Sequence, residues 1–170
     1  MRTWRLLTAS RMVFAVVCMV LAGPLCLGAT PSFDGGTVMK NDDPEYAEGG
    51  TWEAGKNQGD YYLLGMDFGE TRKTSTPGSW AKWTPNLKAG KHRVYWWHNR
   101  FWWGNSGQVT IEIRHAGGTA TIKRDNGDGH MGWNSLGDYE FDAGTDGYLK
   151  ITLEGKGTLY ASGAKFLPAD

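Results

Sequence analysis

The chain has 170 residues, with 18 Lys and Arg against 18 Asp and Glu, so its formal charge at neutral pH is zero. A balanced chain has no overall field to draw phosphate backbones, and nucleic acid is not an expected partner. The two cysteines, Cys18 and Cys26, both lie near the N-terminus, so the rest of the chain holds itself together by packing alone.

Arg2, Arg5 and Arg11 precede an uncharged run from Met12 to Ala22, which Gly23-Pro24 interrupts before Leu27-Gly28-Ala29 offers a small residue for cleavage. This is the layout of a secretory signal peptide. The competing reading is a retained anchor, against which Gly and Pro inside the run argue; a lipoprotein site is disfavoured by Leu25 before Cys26. The expected organisation is a leader over residues 1–29, a loose tail over 30–36 and one domain over 37–168. Cleavage leaves 141 residues with 15 basic and 18 acidic side chains, enough for a proper core. It also predicts a secreted or surface-exposed product with no membrane contact.

Beyond the leader, Gly, Asn and Asp clusters recur at short intervals, and no stretch keeps apolar residues at helical spacing for three turns. The pattern is all-β. Short strands are predicted at Thr37 to Lys40, Gly50 to Ala54, Tyr61 to Gly65 and Ser79 to Thr84, the last closed by Pro85. Lys91 to His98 follows, and is expected to pair with Gln108 to His115 across an aromatic loop. In that second strand Val109, Ile111 and Ile113 alternate with Thr110, Glu112 and Arg114, which buries one face. Ala120 with Ile122 and Tyr139 with Phe141 mark two more strands, Tyr148 to Leu153 alternates again, and Leu159 to Phe166 closes the chain. An antiparallel two-sheet β-sandwich of jelly-roll type accommodates this number and spacing.

The densest aromatic stretch is Tyr95-Trp96-Trp97-His98-Asn99-Arg100-Phe101-Trp102-Trp103. Because strand side chains alternate, half of these rings at most can enter one core. Val94 marks the core side, which assigns Trp96 to packing and leaves Trp97, Trp102 and Trp103 as exposed candidates. Indole is a recognition surface for the apolar face of a sugar ring. His98, Asn99 and Arg100 would supply hydrogen bonds to hydroxyls or pair with a uronate carboxylate, with Tyr95 and Trp133 as further stacking candidates. Against this stands the reading in which Trp102 and Trp103 cap the end of the sandwich.

Several segments in order resemble one family: Asn41-Asp42-Asp43-Pro44, Trp83-Thr84-Pro85-Asn86-Leu87, His115-Ala116-Gly117-Gly118, Gly132-Trp133-Asn134-Ser135-Leu136-Gly137, Phe141-Asp142-Ala143-Gly144-Thr145 and Gly147-Tyr148-Leu149. They are similar to the golvesin and xanthan-lyase-type carbohydrate-binding-like domain over almost the whole mature chain. The resemblance implies a β-sandwich that accompanies exported bacterial proteins and serves glycan binding or adhesion. The chain departs from the family at Ala161-Ser162-Gly163, where an acidic residue usually stands in place of the serine, and in its wealth of tryptophan after Tyr95. The same motifs also have plain structural uses: an indole buried at Trp83, a tight turn at Gly117-Gly118, a loop hydrogen-bonded by Asn134.

Other chemistry is thinly signalled. Asp125-Asn126-Gly127-Asp128-Gly129 has the composition of a calcium loop without its later bidentate carboxylate, so Asp125 and Asp128 are weak structural-calcium candidates and a plain turn is preferred. Asn41-Asp42-Asp43 carries a similar weak signal. No cofactor is expected, and His92, His98, His115 and His130 show no zinc spacing. A sugar hydrolase would need two opposed carboxylates, for which Glu112 with Asp138 is one candidate pair. No nucleophile elbow or phosphate loop is present. The sequence therefore predicts a non-catalytic module that binds extracellular polysaccharide or cell-surface glycan. The rival is a structural subunit whose tryptophan-rich edge forms a homo-oligomer or protein interface.

Overall fold

The computed structural model describes the main chain of residues 30–31 and, in full, residues 35–55, 71–99 and 107–170. Two five-stranded antiparallel sheets form a sandwich, and a small three-stranded sheet is attached to it. In chain order the strands are β1 (Thr30–Pro31), β2 (Thr37–Lys40), β3 (Tyr46–Gly49), β4 (Glu53–Ala54), β5 (Arg72–Thr74), β6 (Trp80–Trp83) and β7 (Gly90–His98). They continue with β8 (Gln108–His115), β9 (Gly118–Asp125), β10 (Gly132–Phe141), β11 (Tyr148–Leu153), β12 (Leu159–Ala161) and β13 (Gly163–Pro168). The first sheet runs β1-β2-β13-β7-β10, the second β3-β6-β11-β8-β9, and the third β12-β5-β4. The all-β sandwich expected from alternation is the fold observed.

Two-residue alternation fills the core from both sheets. Met39, Val94, Trp96, Ala164 and Phe166 point inward from the first, and Ala81, Trp83, Val109, Ile111, Ile113, Leu149, Ile151 and Leu153 from the second; all are essentially fully buried. Phe141 stands edge-on to Phe166, with centroids 5.8 Å apart. Trp83 lies in this core as expected, and β6 ends there, before Pro85.

Four placements differ from the sequence expectations. β7 does not pair with β8: it lies between β13 and β10 in the first sheet, while β8 lies between β11 and β9 in the second. The two strands therefore do not form a hairpin, because β7 and β8 each have one apolar face to bury and bury them against each other's sheet. Of the expected strand over Gly50 to Ala54 only Glu53–Ala54 is strand, as β4, with β3 ending before it at Gly49, and the last strand breaks at Ser162 into β12 and β13. Thr30–Pro31, in the segment expected to be a loose tail, pairs with β2 through Thr30↔Val38 and Pro31↔Thr37. The expected strand at Tyr61 to Gly65 and the leader lie outside the described residues.

The hairpin expected at Gly117-Gly118 joins β8 to β9, with Gly118 at φ +127°. Between β3 and the third sheet, Arg72 forks onto Glu48, with Nε 3.0 Å from Oε2 and Nη2 2.5 Å from Oε1, and the Tyr46 hydroxyl donates to Glu48 Oε2 at 3.0 Å. Partial burial alone would raise the Glu48 pKa, but the hydrogen bonds from Arg72 and Tyr46 outweigh it and hold it below the usual carboxylate value.

Gly147, at the start of β11, lies where an added Cβ would come 2.6 Å from Cδ1 of Phe141 and 2.8 Å from its Cε1. A Gly147→Ala substitution is expected to destabilise the fold by about 1–3 kcal/mol, the usual range for overpacking. Phe141→Leu in the same chain should recover part of that loss, and thermal melts of the two single variants and the double variant measure the coupling.

Candidate functional site

β7 builds two surfaces at once. His92, Val94, Trp96 and His98 point into the sandwich, while Arg93, Tyr95 and Trp97 stand on the outer face of the first sheet. The neighbours on that outer face follow from the register: Lys165 of β13 opposes Tyr95, and on β10 Trp133 opposes Trp97, Ser135 opposes Tyr95 and Asp138 opposes Arg93.

Tyr95 and Trp133 are half-buried, each with ring surface left to solvent. The Lys165 ammonium sits 4.8 Å from the Tyr95 ring centroid and 5.5 Å from that of Trp133, within cation–π range of both. Arg93 makes a two-pronged ion pair with Asp138, at 2.6 Å and 2.9 Å, beside them. The hydrogen bonds and charge of Arg93 hold the Asp138 carboxyl below the usual range, and the same pairing raises the guanidinium. The result is a patch of two rings that share one ammonium, with an ion pair alongside.

Trp97 does not contribute exposed surface to it. The side chain is on the outer face, as alternation requires, yet only 1% exposed. Trp133 stands edge-on to it at 5.2 Å and 86°. Trp97 is thus a packing support for Trp133.

His98 and Asn99 are also buried, at 0% and 1% exposure, and stand at the end of β7 rather than on the patch. The His98 Nε2–H donates to the carbonyl of Asn126 at 2.8 Å, Asn99 Nδ2 donates to Ser162 Oγ at 2.8 Å, and Asn126 Nδ2 donates to the carbonyl of Thr158 at 2.6 Å. Together they tie β7, the turn after β9 and the last two strands into one polar belt. Ser162, at the family's acidic position, is a fully buried member of it. Trp96 is buried as expected, with Arg124 5.5 Å from its ring. Arg100, Trp102 and Trp103 lie outside the described residues.

The Asp125–Gly129 loop is a turn. Asp125 Oδ1 accepts the Gly127 amide at 2.7 Å, its Oδ2 accepts Gln108 Nε2 at 3.3 Å, and the Asp128 carbonyl accepts Arg124 Nη2 at 2.5 Å. Among the described residues no group of three His, Cys, Asp or Glu is placed to hold a metal ion. Asn134 hydrogen-bonds its loop as expected, donating to the carbonyls of His130 and Gly132 at 2.7 Å and 2.9 Å. Glu112 and Asp138 do not face each other: they stand on the outer faces of opposite sheets, paired with Lys150 and Arg93. That separation removes the opposed-carboxylate arrangement considered from the sequence. Sequence reasoning missed Lys165 and the Arg93–Asp138 pair. The outward position of Lys165 between Ala164 and Phe166 was legible, but its place beside Tyr95 depends on strand order.

His98 titrates in a usable range. Burial lowers its pKa, outweighing the backbone hydrogen bond at Asn126, and the nearby charge of Arg124 adds to the lowering. The unfolded chain, with an imidazole near pH 6.5, therefore takes up a proton that the folded chain refuses. The His98 contribution is expected to be complete above about pH 6.5 and to fall as pH drops below it, toward the depressed folded value. Thermal melts between pH 8 and 5 check this: the stability gap between the parent chain and His98→Gln should narrow as pH falls.

Residues 37–167 match the family model described as the Golvesin C-terminal domain. Xanthan lyase of Bacillus sp. (strain GL1) is 31% identical over 143 residues, which are 81% of this chain and 14% of that protein. The solved structure of Paenibacillus xanthan lyase superposes with a TM-score of 0.69 at 26% identity, over 81% of this chain and 13% of that one. A family two carbohydrate esterase from Cellvibrio japonicus is far more distant, at 16% identity and a TM-score of 0.44 over 79% of this chain and 36% of that one. The chain thus spans about one seventh of the lyase it matches. With the family model covering most of the chain and the sandwich in place, this protein belongs to the Golvesin C-terminal domain family.

Proposed function

We propose that this protein is an exported, non-catalytic module that binds extracellular polysaccharide on the outer face of the first sheet, with Tyr95 and Trp133 stacking on pyranose rings. The observation that carries this reading is the patch itself: two partly exposed rings on neighbouring strands, with Trp97 edge-on to one of them and the Lys165 ammonium within reach of both. Ring faces desolvate the apolar side of a sugar, and the Lys165 ammonium and the Arg93–Asp138 pair give hydrogen-bonding groups at its rim. The kinship with a xanthan lyase supports a polysaccharide as ligand, and the leader-like N-terminus supports export. Trp102, Trp103 and Arg100, outside the described residues, stay in this proposal as candidate contacts named from the sequence. Trp97, His98 and Asn99 leave it as direct contacts, since a buried side chain has no surface to offer a polymer.

Each stack is worth about 1 kcal/mol beyond burial, so one face binds weakly and gains from repetition of the module or of the ligand. Native affinity electrophoresis of the full chain through gels containing xanthan or neutral glucans tests the reading. Retardation by at least one polysaccharide is expected, with Trp133→Ala and Tyr95→Ala each weakening it by about five- to tenfold while their thermal melts stay cooperative. Retardation unchanged in both variants, or absent for every polysaccharide, would sink this assignment. A stable oligomer in light scattering, together with such an absence, would put the self-assembling subunit in its place.

A further inference from the structure

The second sheet has an outer face of its own. On β6, Trp80 and Lys82 point outward; on β11, Tyr148, Lys150 and Thr152; on β8, Thr110, Glu112 and Arg114; and on β9, Thr121 and Lys123. Trp80 lies across the main chain of Gly49, where any Cβ would overlap the indole, and this contact sets the ring against the sheet. Lys150 Nζ stands 5.7 Å from the Trp80 centroid and 2.8 Å from Glu112 Oε2, and Lys82 Nζ stands 5.6 Å from the Tyr148 centroid.

The order of these groups is regular. Trp80 opposes Thr152, and Tyr148 is four residues further along β11, so the two rings are offset by about 13 Å along the strands at about 3.3 Å per residue. Each ring has its own ammonium, and Lys82 and Lys150 are direct cross-strand neighbours midway between the rings. Acidic residues mark the ends of the strands, Asp125 and Glu154 at one end and Asp146 at the other. Among the described residues, the middle of the face between them carries Lys82, Lys123, Lys150 and Arg114 with Glu112, and Glu45 stands opposite Thr84 at the β3 edge. In a chain whose total charge is zero, this is a local cationic strip that also offers ring surface.

We infer that the outer face of the second sheet is a separate binding surface for an acidic polysaccharide, with Trp80 and Tyr148 under sugar rings and Lys82 and Lys150 paired with uronate carboxylates. A ring with an ammonium beside it matches a uronate residue, which has an apolar ring face and a carboxylate at its edge. Lys150 exchanges Glu112 for the ligand, a small cost because a half-exposed ion pair contributes little. The two faces of the sandwich point away from each other, so one molecule holds two polysaccharide strands and links them.

The full chain is run in native gels with and without polygalacturonate, and relative mobilities are compared. Retardation is expected for the parent and for the Tyr95→Ala/Trp133→Ala double variant, and at least a tenfold weaker response for Lys82→Gln/Lys150→Gln. Glu112→Gln, which releases Lys150, should strengthen retardation several-fold. No retardation by polygalacturonate, or retardation indifferent to Lys82 and Lys150, overturns the inference; loss only in the Tyr95/Trp133 variant assigns the acidic ligand to the first sheet and overturns it as well. Equal retention of single-stranded DNA in parallel gels, lost with the same lysines, would make the face a general polyanion surface and likewise defeat the assignment.

Discussion

Strand alternation on β7 is the constraint from which both the core and the candidate site follow. Nine residues in one strand place Val94 and Trp96 inside the sandwich and Arg93 and Tyr95 outside it. A shift of one residue would exchange the two sets, burying a guanidinium and exposing an indole needed by the core. β7 is also an interior strand of its sheet, hydrogen-bonded on one side to β13 and on the other to β10. The patch of Tyr95, Trp133 and Lys165 is therefore assembled by three adjacent strands, and its spacing is as fixed as the sheet itself. A site on such a platform loses little freedom when a ligand arrives.

Polar groups divide the molecule differently. Those on the sheet faces are paired in the open, as in Arg93 with Asp138 and Lys150 with Glu112. The ones at the end of β7 are buried and joined to partners from distant strands, with His98 on the Asn126 carbonyl and Asn99 on the Ser162 hydroxyl. Exposed pairs of this kind add little to stability, whereas buried groups must keep their partners to avoid a desolvation loss. The faces can thus vary for recognition while the belt stays constrained.

How far the sequence could be read follows the same division. Periodicity reports which residues of one strand share a face, so β8, β11 and the inward position of Trp96 were visible in Val109 to Ile113, Leu149 to Leu153 and Val94. Pairing is another matter: β7 and β8 are neighbours in sequence and lie in opposite sheets. Trp97 illustrates the consequence. Its face was correctly placed, but its side chain is buried and stands against Trp133, which is distant in sequence. Tyr95 and Trp133, named from the sequence as further candidates, form the exposed patch because strand order brings them to one lysine. The family resemblance was legible in motifs that prove to be mainly turns and core contacts, such as Trp83 and Gly118.

One irregularity in β10 has a wider consequence. The register slips between Ser135 and Gly137, where Gly137 takes φ +120°, so that Leu136 and Gly137 together oppose Val94. Before the slip odd-numbered residues point outward, among them Trp133; after it even-numbered ones do, among them Asp138. That extra residue acts as a change of phase, and only because of it do an aromatic half and a charged half share one plane. A regular strand of the same length would turn one half of this plane to the interior, whereas loss of the one extra residue would restore ordinary pairing and keep Trp133 and Asp138 together, so the surface tolerates removal of the bulge but not its straightening.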